Sequence, residues 1–184
     1  MQKSGDENTW FAYELLKTVT TDPDGNLKTR ITDLLGRPVQ IIEHGPTDHS
    51  TVYTYTPAGD LLKVSRLNPL TGTAVENIIT YNTLGQKLTM ADPDMGNWSY
   101  TYDLNGNLKT QTDGRNTTIT FTYDALNRKI KKAYPNVNAI YLYDSAVNGI
   151  GLLFRKVNAN ASTMYSSYDK MGRLLSEVLN FTKK

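Results

Sequence analysis

The chain has 184 residues, with 20 Lys and Arg, 18 Asp and Glu, and no cysteine. This length suits one domain or a short repeat array, and the missing cysteine excludes disulfides and thiolate metal sites. The formal net charge of +2, with both signs interleaved, argues against nucleic-acid binding. No apolar run is long enough to span a membrane, and the N-terminus lacks the apolar core of a signal peptide.

A short motif recurs in chain order. Its clearest copy is Tyr100-Thr101-Tyr102-Asp103-Leu104-Asn105-Gly106, in which aromatic residues stand one and three positions before an Asp. We number motif positions from this Asp, which is position 0. The position 0 residues of the seven copies are Asp33, Thr56, Asn82, Asp103, Asp124, Asp144 and Asp169. Their separations of 20 to 26 residues indicate a repeat protein.

A second set of turn-forming residues lies between successive copies, at 22–26, 45–48, 68–72, 92–96, 113–114, 134–136 and 158–160. Chain reversals every 10 to 12 residues or so are typical of short antiparallel strands. Residues 14–17 are too few for a helix. The predicted fold class is therefore all-β, an antiparallel meander of repeated β-hairpins with about fifteen strands. We predict a single array over residues 1–184, with residues 1–9 as a flexible lead-in.

The chemistry of the turn explains the motif. We expect the Asp side chain to accept backbone N–H groups, and the Gly at position +3 to supply the positive φ that the turn needs. Asn127 replaces this Gly in the fifth copy, and Asn tolerates that conformation best among the other residues. The sixth copy has a longer loop after Asp144. The predicted structural residues are Tyr55, Tyr81, Tyr102, Asp103, Gly106, Tyr123, Asp124, Asn127, Tyr143, Asp144, Tyr168, Asp169 and Gly172.

The aromatic residues at positions −1 and −3 point to the same side of a strand. Neighbouring repeats are expected to stack them into ladders across the sheet, with the phenol groups reaching water or backbone.

The recurring Tyr-x-Tyr-Asp-x-x-Gly motif, with its Asp-Pro-x-Gly turns, resembles the YD repeat of Rhs proteins, of the B and C subunits of insecticidal Tc toxins, and of teneurin ectodomains. The resemblance covers residues 10–180. It implies a strip of β-hairpins that forms a curved sheet or partial β-shell, which in the bacterial members encloses a C-terminal toxin. The implied role is a non-enzymatic wall segment of a secreted or cell-surface bacterial protein. Its implied partners are other repeats of the same protein and a cargo polypeptide.

Other functions remain open at this stage. Trp10 and Trp98 lie outside the recurring positions and are candidate ligand-binding aromatics for a glycan or an extended peptide, as in an adhesive module. A homo-oligomer could form through sheet edges or faces. A hydrolase is the third possibility, although no Gly-x-Ser-x-Gly elbow occurs.

Metal binding is disfavoured. The cluster of His44, Asp48 and His49 has no further strong metal ligand nearby in the sequence. The turns that begin at Asp22 and Asp92 lack the carboxylate spacing of a calcium-binding loop. We therefore predict no catalytic, cofactor-binding or metal-binding residue.

Overall fold

The computed structural model describes residues 9–181. These residues form sixteen β-strands and no helix, which confirms the predicted all-β meander of antiparallel hairpins. None of the described segments is a helix that could cross a membrane. The chain divides into two compact units, Met1–Asn97 and Trp98–Lys184. The predicted lead-in at residues 1–9 lies outside the described residues, apart from Thr9.

In the first unit each strand pairs antiparallel with the next strand in sequence. Its strands are β1 (Trp10–Glu14), β2 (Lys17–Thr21), β3 (Leu27–Thr32), β4 (Pro38–Glu43), β5 (His49–Tyr55), β6 (Leu61–Leu67), β7 (Ala74–Tyr81) and β8 (Lys87–Asp92).

The second unit repeats this arrangement. Its strands are β9 (Gly96–Tyr102), of which residues from Trp98 onward belong to this unit, β10 (Leu108–Thr112), β11 (Thr118–Tyr123), β12 (Lys129–Ala133), β13 (Asn138–Tyr143), β14 (Leu153–Val157), β15 (Ala161–Tyr168) and β16 (Leu174–Phe181).

The strand count exceeds the prediction by one because Leu15 and Leu16 form a two-residue hairpin turn between β1 and β2. Glu14 pairs directly with Lys17 across this turn, and Leu15 has a φ of 46°. A two-residue hairpin turn normally contains Gly or Asn at such a position. These two leucines therefore carry no turn signal that sequence reasoning could use.

A β-bulge accompanies each of the seven predicted motif copies, next to the position −1 residue. In the fourth copy Tyr102 pairs with Leu108 and Thr101 pairs with Thr110, so Lys109 is the extra residue. The equivalent extra residues in the other copies are Val39, Leu62, Leu88, Ile130, Phe154 and Leu175. Such bulges bend the strand that carries them and increase its twist.

The sheet is a single layer within each unit, because the described strands pack only against their sequence neighbours. Strand β11 illustrates the two faces: Ile119, Phe121 and Tyr123 are half-buried, while the intervening threonines are exposed. We call the face that carries positions −1 and −3 the tyrosine face. Few residues of the described part are buried, the largest being Tyr168 at 8% exposed, and none of the described large side chains is fully buried. Stability therefore depends on cross-strand contacts rather than on an interior core.

Candidate functional site

The motif turn is closed by two backbone hydrogen bonds. In the fourth copy the N–H of Asp103 donates to the carbonyl of Asn107 over 2.9 Å, and the N–H of Gly106 donates to the carbonyl of Asp103 over 3.1 Å. Gly106 has a φ of 84°, so the hairpin loop is a type I turn followed by a left-handed residue. The same pair of bonds closes the turns that begin at Asp33, Thr56, Asn82, Asp124 and Asp169.

The Asp side chain of the motif satisfies the N–H groups of its own turn. Oδ1 of Asp103 accepts the N–H groups of Asn105 at 3.0 Å and Asn107 at 2.9 Å. Oδ2 accepts the side-chain amide of Asn107 at 3.1 Å. This geometry is that of an Asx turn.

These contacts hold the motif carboxyl groups in their charged form. The side-chain hydrogen bond from Asn107 is the largest influence on Asp103 and lowers its pKa. Burial acts to raise the pKa of Asp124, but the hydrogen bonds from Arg128 outweigh it, and the pKa is lowered. A general acid needs the opposite, a carboxyl group that stays protonated near neutral pH. These groups are suited to accept hydrogen bonds, not to deliver protons.

Position +3 is filled differently in the fifth copy. Asn127 has a φ of 59°, and its Oδ1 accepts the side-chain amides of Asn107 at 2.8 Å and Asn105 at 3.2 Å. Asn127 therefore adopts the left-handed conformation and also contacts the turn of the preceding copy.

The longer loop of the sixth copy is closed in its own way. Oδ1 of Asp144 accepts the N–H of Gly151 at 2.7 Å. Further along the loop, Val147 bonds to the backbone of β15: its N–H donates to the carbonyl of Ser166 over 3.1 Å and its carbonyl accepts the N–H of Tyr168 over 2.9 Å.

The position −1 tyrosines connect successive copies. In five copies the hydroxyl donates to the backbone carbonyl that begins the second strand of the preceding copy: Tyr55 to Pro38 at 2.8 Å, Tyr81 to Leu61 at 2.9 Å, Tyr123 to Leu108 at 2.9 Å, Tyr143 to Lys129 at 2.8 Å and Tyr168 to Leu153 at 2.6 Å. Burial raises the pKa of Tyr123, Tyr143 and Tyr168, so the hydroxyls remain protonated donors. We call this contact the tyrosine clasp.

Position +4 adds a charged layer to the clasp. Nε of Arg128 donates to Asp124 at 2.8 Å within its own copy, and its two Nη atoms donate to Asp144 of the next copy at 2.9 and 2.8 Å. Its Cζ lies 4.5 Å from the centre of the Tyr143 ring. Arg37 covers the Tyr55 ring at the same distance of 4.5 Å. A planar guanidinium can make all these contacts at once, whereas a Lys cannot.

Sequence reasoning missed three of these features. It assigned no role to the Arg at position +4, it did not expect the bulges, and it overlooked an additional motif copy, Phe11-Ala12-Tyr13-Glu14. That segment has aromatic residues at positions −3 and −1 and an acidic residue at position 0. This copy has no Gly at position +3, which is why it was not recognised, although the spacing of its aromatic and acidic residues matches the motif.

The two candidate ligand-binding tryptophans lie in different environments. Trp10 is 64% exposed on β1. Trp98 is half-buried on β9, on the same face as Tyr100 and Tyr102. They belong to different units, and their role in ligand binding stays a prediction.

Both ring nitrogens of His44 contact side chains of the same chain. Nε2 of His44 lies 2.9 Å from Oγ1 of the buried Thr29, and Nδ1 lies 3.0 Å from Oδ2 of Asp48. His49 instead lines an open groove of about 510 Å³ with Arg66 and apolar residues that include Leu70 and Val75. No cluster of three or more metal-ligating side chains occurs within residues 9–181.

The backbone fold matches solved structures whose sequences are distant. The chain superimposes on the crystal structure of TcdB2-TccC3 with a TM-score of 0.68 and 16% identity, over 92% of this chain and 10% of that one. TcdB2-TccC3-Cdc42 matches with a TM-score of 0.67 and 15% identity, over the same shares of 92% and 10%. The chain thus spans about a tenth of the length of these structures. At this identity the match shows the fold.

Sequence comparison identifies the repeat itself. Comparison with curated protein sequences gives no significant match. The family model RHS Repeat matches residues 102–136, which include the Tyr102 and Tyr123 motifs and the turns after them. Residues 102–136 therefore match the RHS repeat, also called the YD repeat, and the same motif geometry recurs in both units.

Proposed function

We propose that this chain is a structural segment of a larger protein, in which it forms part of a shell wall around a cargo polypeptide. The observation that carries the proposal is the tyrosine clasp, which recurs at the same position in five motif copies and joins each of these hairpins to the one before it. A wall needs such sequential joints, because a single-layer sheet has no interior core to hold it.

The β-bulges support a curved wall. They fall on the same strand of each motif hairpin and at the same position relative to Tyr. We propose that each bulge bends the sheet of its unit in the same sense, and that the chain is a single array of repeats.

The partners of such a wall are further repeats of the same protein and the enclosed polypeptide. The match to about a tenth of the TcdB2-TccC3 structures supports a place within a longer chain. We propose a secreted or cell-surface bacterial protein, and a role without catalysis. The lowered pKa of the motif carboxyl groups supports a structural use for them.

Limited proteolysis of the gene product that carries this sequence tests the proposal. A wall predicts a polypeptide segment that resists protease in the wild type and is cut when Tyr123→Ala and Tyr143→Ala together open two clasps. Tyr141→Phe is the matched control, because the Tyr141 hydroxyl makes no hydrogen bond within residues 9–181. If no segment is protected, or if opening the clasps leaves protection unchanged, the enclosure proposal is wrong.

A second candidate function, an adhesive surface that binds glycans or proteins, is favoured by the aromatic residues of β1. Trp10, Phe11 and Tyr13 are 64%, 58% and 75% exposed. A glycan array with the wild type and the Trp10→Ala and Trp98→Ala variants checks this function. Specific binding that either substitution removes would favour the adhesive module over the wall.

A further inference from the structure

Strands β11 to β15 of the second unit carry basic residues and no acidic ones. Their sequences contain five Lys and Arg residues, without an Asp or a Glu. Directly opposite residues of paired strands share a face of the sheet. Three of the five basic residues lie on the tyrosine face by this criterion, because they pair with Tyr123, Phe121 and Tyr141. We call these three the lysine patch: Lys129, Lys132 and Lys156.

The lysine patch has no carboxylate partner in the described part of the chain. Its three side chains form no ion pair within residues 9–181. Two lysines of the first unit, by contrast, are paired: Lys28 with Glu43 at 3.0 Å and Lys63 with Glu76 at 2.9 Å. The positive charge of the patch is therefore available to an anionic partner.

Aromatic rings position two of the three ammonium groups. Nζ of Lys129 lies 4.9 Å from the centre of the Tyr141 ring and 6.0 Å from that of Phe121. Nζ of Lys132 lies 4.7 Å from the centre of the Tyr134 ring and 5.7 Å from that of Phe121. Both lysines are half-buried. A cation–π contact attracts an ammonium group without neutralising its charge, so these charges are held against the sheet and remain unbalanced.

The repeat does not itself require lysine at these places. The residue opposite position −3 is apolar in the first three copies and a lysine in the fifth and sixth: Ile41, Val64, Met90, Lys132 and Lys156. The same hairpin therefore forms with apolar side chains there. A binding role accounts for the two charges, whereas the fold of the repeat does not.

We propose that the lysine patch binds an acidic segment of a polypeptide, whose carboxylates contact the three ammonium groups. Strands β12 and β14 lie about 10 Å apart, and alternate side chains of an extended peptide repeat about every 7 Å, so flexible lysine side chains can reach the carboxylates of one segment. This inference does not depend on the enclosure of cargo.

A single-stranded nucleic acid suits the patch less well. Proteins bind such strands by stacking bases on the faces of aromatic rings. Here lysine ammonium groups cover the rings of Phe121, Tyr134 and Tyr141. The surface thus offers point charges rather than open ring faces.

Fluorescence anisotropy with the full chain and a labelled octaglutamate peptide tests the proposal. At about 0.15 M salt, charges interact over roughly 8 Å only, so distant lysines contribute little. The wild type is expected to bind octaglutamate and not octaglutamine. The double variant Lys132→Met, Lys156→Val removes two patch charges and introduces apolar residues of the kind that other copies hold there. It is expected to weaken binding by at least about tenfold, and Lys156→Val alone, at an exposed position, is expected to act in the same direction.

The double variant Lys131→Met, Arg155→Met is the matched control. It removes the same charge from the same two strands, but these residues pair with Thr122 and Leu142 on the opposite face, so peptide binding is expected to stay at the wild-type level. Circular dichroism checks that each variant keeps its β-sheet spectrum. The proposal is overturned if the wild type does not bind octaglutamate, if both double variants weaken binding equally, or if a thymidine oligonucleotide of the same charge binds more tightly.

Discussion

At the scale of single residues, the position 0 Asp and the position −1 Tyr of the motif each make one kind of hydrogen bond, and these are their assignments. The Asp caps its own turn, while the Tyr at position −1 reaches back to the preceding copy. The sequence predicted the first of these assignments, because Asx turns are local and depend on a few adjacent residues. It predicted only that the phenol groups would reach water or backbone, because the acceptor carbonyl lies 14 to 20 residues away in the chain.

The tyrosine hydroxyl can be tested by removing one oxygen. Tyr143→Phe loses the 2.8 Å hydrogen bond to the Lys129 carbonyl, and we expect the free energy of unfolding to fall by about 0.5–1.5 kcal/mol. Tyr141→Phe, two residues earlier on the same face, is the control and is expected to change it little. Urea titration measures both. Equal effects from the two substitutions would mean that the clasp hydrogen bond does not stabilise the sheet.

The glycine at position +3 can be tested separately from packing. Gly36 has a φ of +76°, and an added Cβ would meet nothing within 4 Å. Gly36→Ala is therefore expected to cost roughly 1–2 kcal/mol of unfolding free energy through backbone strain alone. Gly45→Ala, where the nearest atom to the added Cβ is 3.5 Å away and φ is not positive, is expected to be close to neutral. A neutral Gly36→Ala would contradict the turn assignment.

At the scale of elements, the hairpins are joined by contacts that cross from one copy to the next. Arg128 is the best example, since it bonds to Asp124 and Asp144 and covers the Tyr143 ring. Periodicity in the sequence revealed the hairpins, but it could not reveal this layer. Position +4 holds Arg, Asp, Gln or Asn in different copies, so it does not stand out as a motif position.

The contacts that Arg128 makes between copies predict unequal effects of two similar substitutions on thermal stability. Arg128→Ala removes contacts within a copy and between copies, whereas Arg173→Ala removes only the contact within its copy. The melting temperature is therefore expected to fall further for Arg128→Ala. Scanning calorimetry at low protein concentration, where chains are separate, measures the difference. A larger loss for Arg173→Ala would contradict the bridging role of Arg128.

The shifted pKa values of the motif Asp and Tyr also predict how stability depends on pH. The pKa of folded Asp103 lies below its ordinary value of 3.8, so its stabilising contribution is present above that value and is lost as the pH falls through the lowered pKa. The pKa of folded Tyr123 lies above its ordinary value of 10.0, so its contribution is present below that value and is lost as the pH rises through the raised pKa.

We therefore expect stability to be nearly constant between about pH 5 and pH 8 and to fall on both sides of that range. Urea midpoints measured across the pH range check this expectation. A steep loss inside the plateau would show that groups other than the motif Asp and Tyr control folding.

At the scale of the whole molecule, fold class and repeat period were predictable because turn residues and aromatic spacing recur together. The β1–β2 hairpin was not, since Leu15 and Leu16 carry no turn signal. The bulges were not either, because an extra residue in one strand becomes visible only when its partner strand is known. These bulges are the features that we propose to curve the array.

The central claim is that the clasped hairpins of each unit form a single-layer sheet. Small-angle X-ray scattering tests it directly, through the thickness of the particle. A single β-sheet predicts a thickness of about 10 Å, and edge-to-edge association leaves that value unchanged. A thickness of about 20 Å, the value for two sheets packed face to face, would contradict the claim.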